Sequence, residues 1–450
     1  MREITGRVLH GLDEFKLRLG HLSIICETAK SEGGSAFRLQ RDFSARLLAP
    51  ISVRDCDFDF VGRYLCKKRL CLDLDAEPTD DAGAKKYRYP DVTYRKNVAL
   101  ERFDVRSRGP SGTAPEIWFQ DYCLAQPSVR SHVGAVTVRS KSTSKTGVSH
   151  LLDWARELGL VSSSGSALPI AEIVANEIQA TPNSSRSENP YCLGAERIAL
   201  GFAYVWADFD IFTEMIGILE SESGIITRKR AAEIYIDAVT RLNDRTARSA
   251  NVSGLRSRPI FELWRDLEKA EKKHRRKSPN TSSRLAWHRA SSRFETLTDL
   301  GFLTKSAPDR NDKFEYRYVV TETTKSAADT LAQHEASADW FSTCFLSTLL
   351  GVETALTPAT SDVLVGSLPA VAKALKRPTA PLPMIAVVVG LALRLSEAGT
   401  PYSLGAIQRG LRELAISQPD LARVSKGDRA DSAGMIAFDL RRLEGMATDA

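Results

Sequence analysis

Five carboxylates are the first candidates for chemistry. Asp57-Phe58-Asp59-Phe60 and Cys71-Leu72-Asp73-Leu74-Asp75 alternate acid with apolar residue, and Glu77 follows closely. On an extended strand this alternation puts Asp73, Asp75 and Glu77 on one face. Grouped carboxylates can hold a divalent cation for phosphodiester hydrolysis. A nuclease of the common restriction type also needs a lysine two residues past its second acid, and Glu77-Pro78-Thr79 does not supply one. A solvent-facing strand edge is the favoured reading, since charges there block unwanted strand pairing. A metal-dependent nuclease using Asp57, Asp59, Asp73, Asp75 or Glu77 is the alternative.

Other reactive groups are dispersed. There is no GxxxxGK[ST], no GxGxxG after a strand, no HExxH and no GxSxG. Seven histidines are scattered, with His274 and His288 in a basic region. Seven cysteines make an odd set without CxxC spacing, which suits a reducing cytosol rather than a disulfide framework. Cys56, Cys66, Cys71 and Cys123 would need irregular spacing to bind zinc, so buried thiols are expected. No catalytic residue, resident metal or cofactor is expected from these patterns.

The cations are more concentrated. From Arg256 to Arg293 the chain carries twelve Lys/Arg and four Asp/Glu, a balance of +8 against +6 for all 450 residues. Neighbouring like charges in Lys272, Lys273, His274, Arg275, Arg276 and Lys277 repel one another, and phosphate relieves that repulsion. A solvated helix with Glu268 four residues before Lys272 is the alternative reading. A second basic stretch, Lys85 to Arg108, interleaves Tyr87, Tyr89, Tyr94 and Phe103, and suits either a nucleic-acid surface or an antiparallel edge hairpin.

The elements around the basic cluster have a recognisable order. Ser291, Ser292 and Arg293 precede Phe294, Leu297 and Leu300, which share one helical face. Gly301 sits where a helix needs a left-handed C-terminal residue. Phe302 and Leu303 begin a strand, Phe314, Tyr316 and Tyr318 alternate along another, and the turn-rich segment Ser306 to Lys313 joins them. Lys145 to Ile178 repeats the order: a helix with Leu151, Leu152, Trp154, Ala155 and Leu158, then Gly159, Leu160-Val161, a Ser/Gly loop and a return strand at Ala167 to Ile170. The two glycines are 142 residues apart.

Both segments resemble the winged-helix branch of the helix-turn-helix superfamily. The resemblance implies double-stranded DNA binding, with the second helix in the major groove and phosphate contacts orienting it. Arg284, His288, Arg289 and Arg293 would then lie on or near that helix. Lys272, Lys273, Arg275, Arg276 and Lys277 would grip the backbone, and Lys305, Arg310 and Lys313 would reach a flanking groove from the wing. Chromosome-organising complexes and bacterial restriction or defence systems use such modules. The implied role is therefore a DNA-binding regulator, or a subunit of a larger DNA-processing or genome-defence complex, without catalytic activity of its own. A protein-interaction scaffold is a further alternative.

The expected fold class is mainly α (α+β) and multi-domain. Residues 1–140 form a β-containing region in which Phe15, Leu17, Leu19, Leu22 and Ile24 suggest strands and Gly33-Gly34 a turn. Residues 141–182 form the first winged-helix-like module, 183–255 a helical bundle and 256–332 the basic helix plus the second module. Residues 333–450 form a C-terminal helical domain. Its apolar run Met384 to Leu393 is shorter than a bilayer-spanning helix and is followed by Arg394, so a buried central helix is expected rather than a membrane partner. Charges among the first apolar positions speak against a signal peptide, and the cytoplasm is the expected location.

Overall fold

The computed structural model describes residues 3–10, 19–32, 34–40, 144–180, 194–249, 252–276, 282–306, 317–375, 381–425 and 434–448. It is mainly helical, as the periodicity requires. The carboxylates at 57, 59, 73, 75 and 77, the basic stretch 85–108, and Lys277, Arg310 and Lys313 lie outside the described residues.

The first described helix corrects an expectation of strands. Helix α1 (Leu19–Glu32) buries Leu19, Leu22, Ile25, Cys26 and Ala29. That spacing of three and four is helical, and the apparent alternation at Leu19, Leu22 and Ile24 does not persist. Its Leu19 N–H donates to the Asp299 carboxylate at 2.9 Å, satisfying one of the otherwise open donors of a helix start.

The first glycine-centred unit begins as expected and ends differently. Helix α2 (Ser144–Glu157) buries Leu151, Leu152, Trp154 and Ala155, and Gly159 has φ +66°. Only a single bridge, Val161 to Ala167, closes the Ser/Gly loop. Helix α3 (Pro169–Ala180) replaces the expected return strand. Pro169 suits the first helical position, where its missing N–H costs nothing and its φ is already helical.

Three helices follow: α4 (Gly194–Ala207), α5 (Phe209–Leu219) and α6 (Arg228–Arg248). Thr227 caps α6 by accepting the Arg230 N–H. The basic helix is α7 (Gly254–Arg275), and α8 (Arg284–Asp299) comes after it, capped by Ser283. Gly301 has φ +82°. Strands β1 (Leu303–Ser306) and β2 (Arg317–Val320) then pair antiparallel, with Leu303 opposite Val320. Ile226 adds a bridge to Tyr318 through two backbone hydrogen bonds, fixing the start of α6 to the hairpin. Helix α6 packs on α5, α7 and α8.

The remainder is α9 (Glu322–Gln333), α10 (Ser337–Thr343), α11 (Phe345–Leu350), α12 (Ser361–Ala374), β3 (Leu382–Pro383), α13 (Met384–Glu397), α14 (Leu404–Ser417), β4 (Ala422–Ser425), β5 (Met435–Phe438) and α15 (Leu440–Thr448). The apolar run becomes α13, with Met384 and every residue from Ala386 to Leu393 buried. The three-stranded order β3-β5-β4 is an addition to the expected all-helical C-terminal region. Among the described residues, buried apolar side chains from Ile4 to Leu443 form one continuous core, which crosses each expected segment boundary. No described helix is long and apolar enough to cross a membrane.

Candidate nucleic-acid interface

Helix α7 has two distinct faces. Ile260, Leu263, Leu267 and Glu271 are buried, in steps of three and four. Arg265, Lys269, Lys272, Lys273 and Arg276 are exposed on the opposite side, also at helical spacing. From Arg265 to Arg276 this stripe spans about 16 Å at 1.5 Å per residue. Lys272 pairs with Glu268 at 2.9 Å, and Arg275 lies 4.0 Å from Glu271. No described carboxylate forms a salt bridge with Lys269, Lys273 or Arg276. Cations in the last turn are also favoured by the helix dipole.

The α7–α8 junction is held by one buried acid. Glu271 accepts the Ser283 N–H at 2.8 Å, so the end of the basic helix and the start of α8 are locked together. Arg284, the next residue, is exposed, and its Nε donates to His288 Nε2 at 3.2 Å. Trp287 is buried beneath the Arg228 guanidinium, 4.2 Å from its ring centre. Lys305 occupies β1 opposite Tyr318.

Arg289 and Arg293 are elsewhere, and this corrects their expected place on a DNA-facing surface. Both are buried, as are Ser291 and Ser292, because α8 is enclosed by α6, α7 and the hairpin. Arg293 Nε and Nη2 donate to Asp208 at 2.7 and 3.0 Å. Its Nη2 also reaches the Leu9 carbonyl at 2.9 Å, and Nη1 the Arg289 carbonyl at 3.3 Å. The Tyr235 ring lies 4.9 Å below it. Burial disfavours the guanidinium's charge, but Asp208 and the adjoining phenols more than compensate and hold its pKa above the ordinary arginine range. An arginine so enclosed cannot meet a phosphate without unfolding its surroundings.

The same core carboxylates hold a strap, residues 3–10, which the sequence reading did not identify. Asp208 accepts the Leu9 N–H at 2.8 Å. Asp210 accepts from Thr5 N, Thr5 Oγ1 and Gly6 N, the last at 2.7 Å. Burial pushes the Asp210 carboxyl above its ordinary pKa, and these three donors partly offset it. The available signal was the pair of acids, Asp208 and Asp210, inside the apolar run Phe202 to Phe212, since a carboxylate enclosed there must find donors.

Among the described residues no three His, Cys, Asp or Glu side chains gather as a metal site. What the geometry presents is an exposed row of cations on α7, an exposed Arg284 at the start of α8, and an interior ion pair made by Arg293 of α8. No known protein family, curated protein or solved structure matches this chain.

Proposed function

We propose that the protein binds double-stranded DNA through its phosphates, with little regard to base sequence, as a regulator or as a subunit of a larger DNA-processing or genome-defence complex. The observation that carries this reading is the exposed stripe on α7, set directly opposite its buried seam. Over the stripe's length a duplex presents about nine phosphate charges at one per 1.7 Å of axis. The order of α8, a left-handed glycine and the β1–β2 hairpin supports a winged-helix-like module in this part of the chain. Burial of Arg289 and Arg293 leaves backbone contact, rather than base reading by α8, as the mode supported.

The test replaces Lys272, Lys273, Arg275 and Arg276 together by alanine. Fluorescence anisotropy on random duplexes across low to moderate salt reads affinity and its salt slope. The slope should flatten by about two to three units, because Lys272 and Arg275 each have an acid nearby, and all sequences should weaken alike. An unchanged slope in a folded variant would overturn the reading and leave the stripe as a solvated face.

A further inference from the structure

The exposed face of α7 changes character towards its N-terminal end. Phe261 precedes Arg265 by one turn. At about 100° per residue it lies about 40° from Arg265 around the helix axis, and about 6 Å before it along the axis. The ring therefore shares a face with Arg265, Lys269 and Lys272, away from the buried seam of Ile260, Leu263 and Leu267. Phe261 is 39% exposed. Arg258 lies on the same face another turn back, but its Nε donates to Glu262 at 2.8 Å, so that cation is answered within the helix. Read from Lys272 back to Arg258, the face passes from cations to an aromatic ring and then to a compensated ion pair.

Phosphate and base call for different partners. Phosphates are drawn to the cations. Neither a phenyl ring nor a compensated pair offers them net charge. A ring can instead hold the flat face of a base by stacking, whatever the base. Inside a duplex those faces are covered by the neighbouring pairs, and a side chain on a helix surface does not reach them. An unpaired base next to a duplex end has a free face. A single exposed apolar side chain is ordinary on a protein surface. What gives Phe261 a ligand is its position in line with the cations, at the point where they stop.

We propose that Phe261 stacks an unpaired base, so that the preferred ligand is DNA in which a duplex gives way to a single strand. The duplex phosphates meet the cations from Arg265 to Arg276, and the first unpaired base meets the ring. This inference rests on the phosphate-binding reading of the stripe and adds a structural preference that charge alone does not give. Indifference to base sequence is kept, because every base has a face to stack.

The experiment uses the full chain and fluorescence anisotropy at one moderate salt concentration. The probes are a blunt duplex, the same duplex with a short thymine overhang of either polarity, and the same overhangs with abasic sites in place of the thymines. Intact and abasic overhangs carry equal numbers of phosphates, so any difference between them comes from the bases. For at least one polarity the intact overhang should bind at least about fivefold more tightly than the abasic one, the low end of base–aromatic stacking. Phe261→Leu keeps an apolar side chain without the ring and should bring the two to within twofold of each other. Phe261→Trp should keep them at least about fivefold apart. Blunt duplex bound with no gain from intact over abasic overhangs would overturn this inference alone, as would a gain that survives Phe261→Leu. No binding of any duplex would overturn the phosphate reading and this inference with it.

Discussion

Arg293 and Asp208 form a bidentate ion pair at 2.7 and 3.0 Å with both side chains fully shielded from water. Such a pair is not a large net stabiliser, because two desolvated charges offset most of their attraction. Breaking it is different. Arg293→Ala leaves the buried Asp208 carboxyl without its counter-charge and also frees the Leu9 carbonyl. The expected loss is about 3–5 kcal/mol, read as a lower urea midpoint at unchanged slope. Arg293→Met with Asp208→Leu should recover part of that loss, since it removes the unpaired charge but still leaves the Leu9 N–H and carbonyl without these partners. A double variant as unstable as Arg293→Ala would show that shape, not charge, governs this position.

Asp210 makes stability depend on pH with a defined sign. Burial raises its folded pKa above the ordinary 3.8, so the folded chain holds this proton more tightly than the unfolded chain. The associated stability is fully present below 3.8 and is lost as pH rises through the folded pKa. Asp210→Asn removes the titration. The difference in unfolding free energy, wild type minus Asp210→Asn, should therefore fall as pH rises from about 4 towards neutrality. Urea titrations at several pH values measure it, and a difference that rises over this window would contradict the assignment.

The strap's turn gives a third test. Gly6 has φ +76°, and a Cβ there would stand 2.7 Å from the Arg256 Cα and carbonyl oxygen. Both atoms are backbone, so neither can swing aside. Gly6→Ala should destabilise by about 1–3 kcal/mol. Gly217, near the end of α5, is exposed with open space at its Cβ position. Gly217→Ala should instead stabilise by about 0.5–1 kcal/mol. Thermal unfolding of the two variants distinguishes them by sign.

Local periodicity made much of the fold legible. The apolar faces of α4 to α8 and of α12 to α14 lie close to where their spacing puts them, and both Leu-Gly turns have the left-handed φ that their sequences demand. Pairings between distant segments were not legible. Arg293 looked like a surface cation because its partner Asp208 is 85 residues away in sequence. The strap was hidden for the same reason, since Thr5 meets Asp210 across 205 positions. Leu19, Leu22 and Ile24 fit either period over so few residues, and only Ile25, Cys26 and Ala29 decide for a helix. The stripe was legible in part: the charge run pointed to Lys272, Lys273 and Arg276, whereas Arg265 and Lys269, one to two turns earlier on the same side, were not singled out.

The last prediction separates individual cations within that stripe. Lys272 lies 2.9 Å from Glu268, with exposures of 69% and 38%, whereas Lys273 makes no salt bridge to a described carboxylate. A phosphate contact releases counterions in proportion to the net cationic charge offered. Lys273→Ala should therefore lower the salt slope by about one unit, and Lys272→Ala by less than half as much. Glu268→Gln should act in the opposite direction, because it leaves Lys272 uncompensated: affinity rises at low salt and the slope steepens by up to about one unit. Arg284→Ala should resemble Lys273→Ala, since its contact is with His288 rather than an acid. Anisotropy titrations on one random duplex at four salt concentrations resolve these differences. Equal slopes for Lys272→Ala and Lys273→Ala, together with no response to Glu268→Gln, would mean that phosphate does not meet this face of α7.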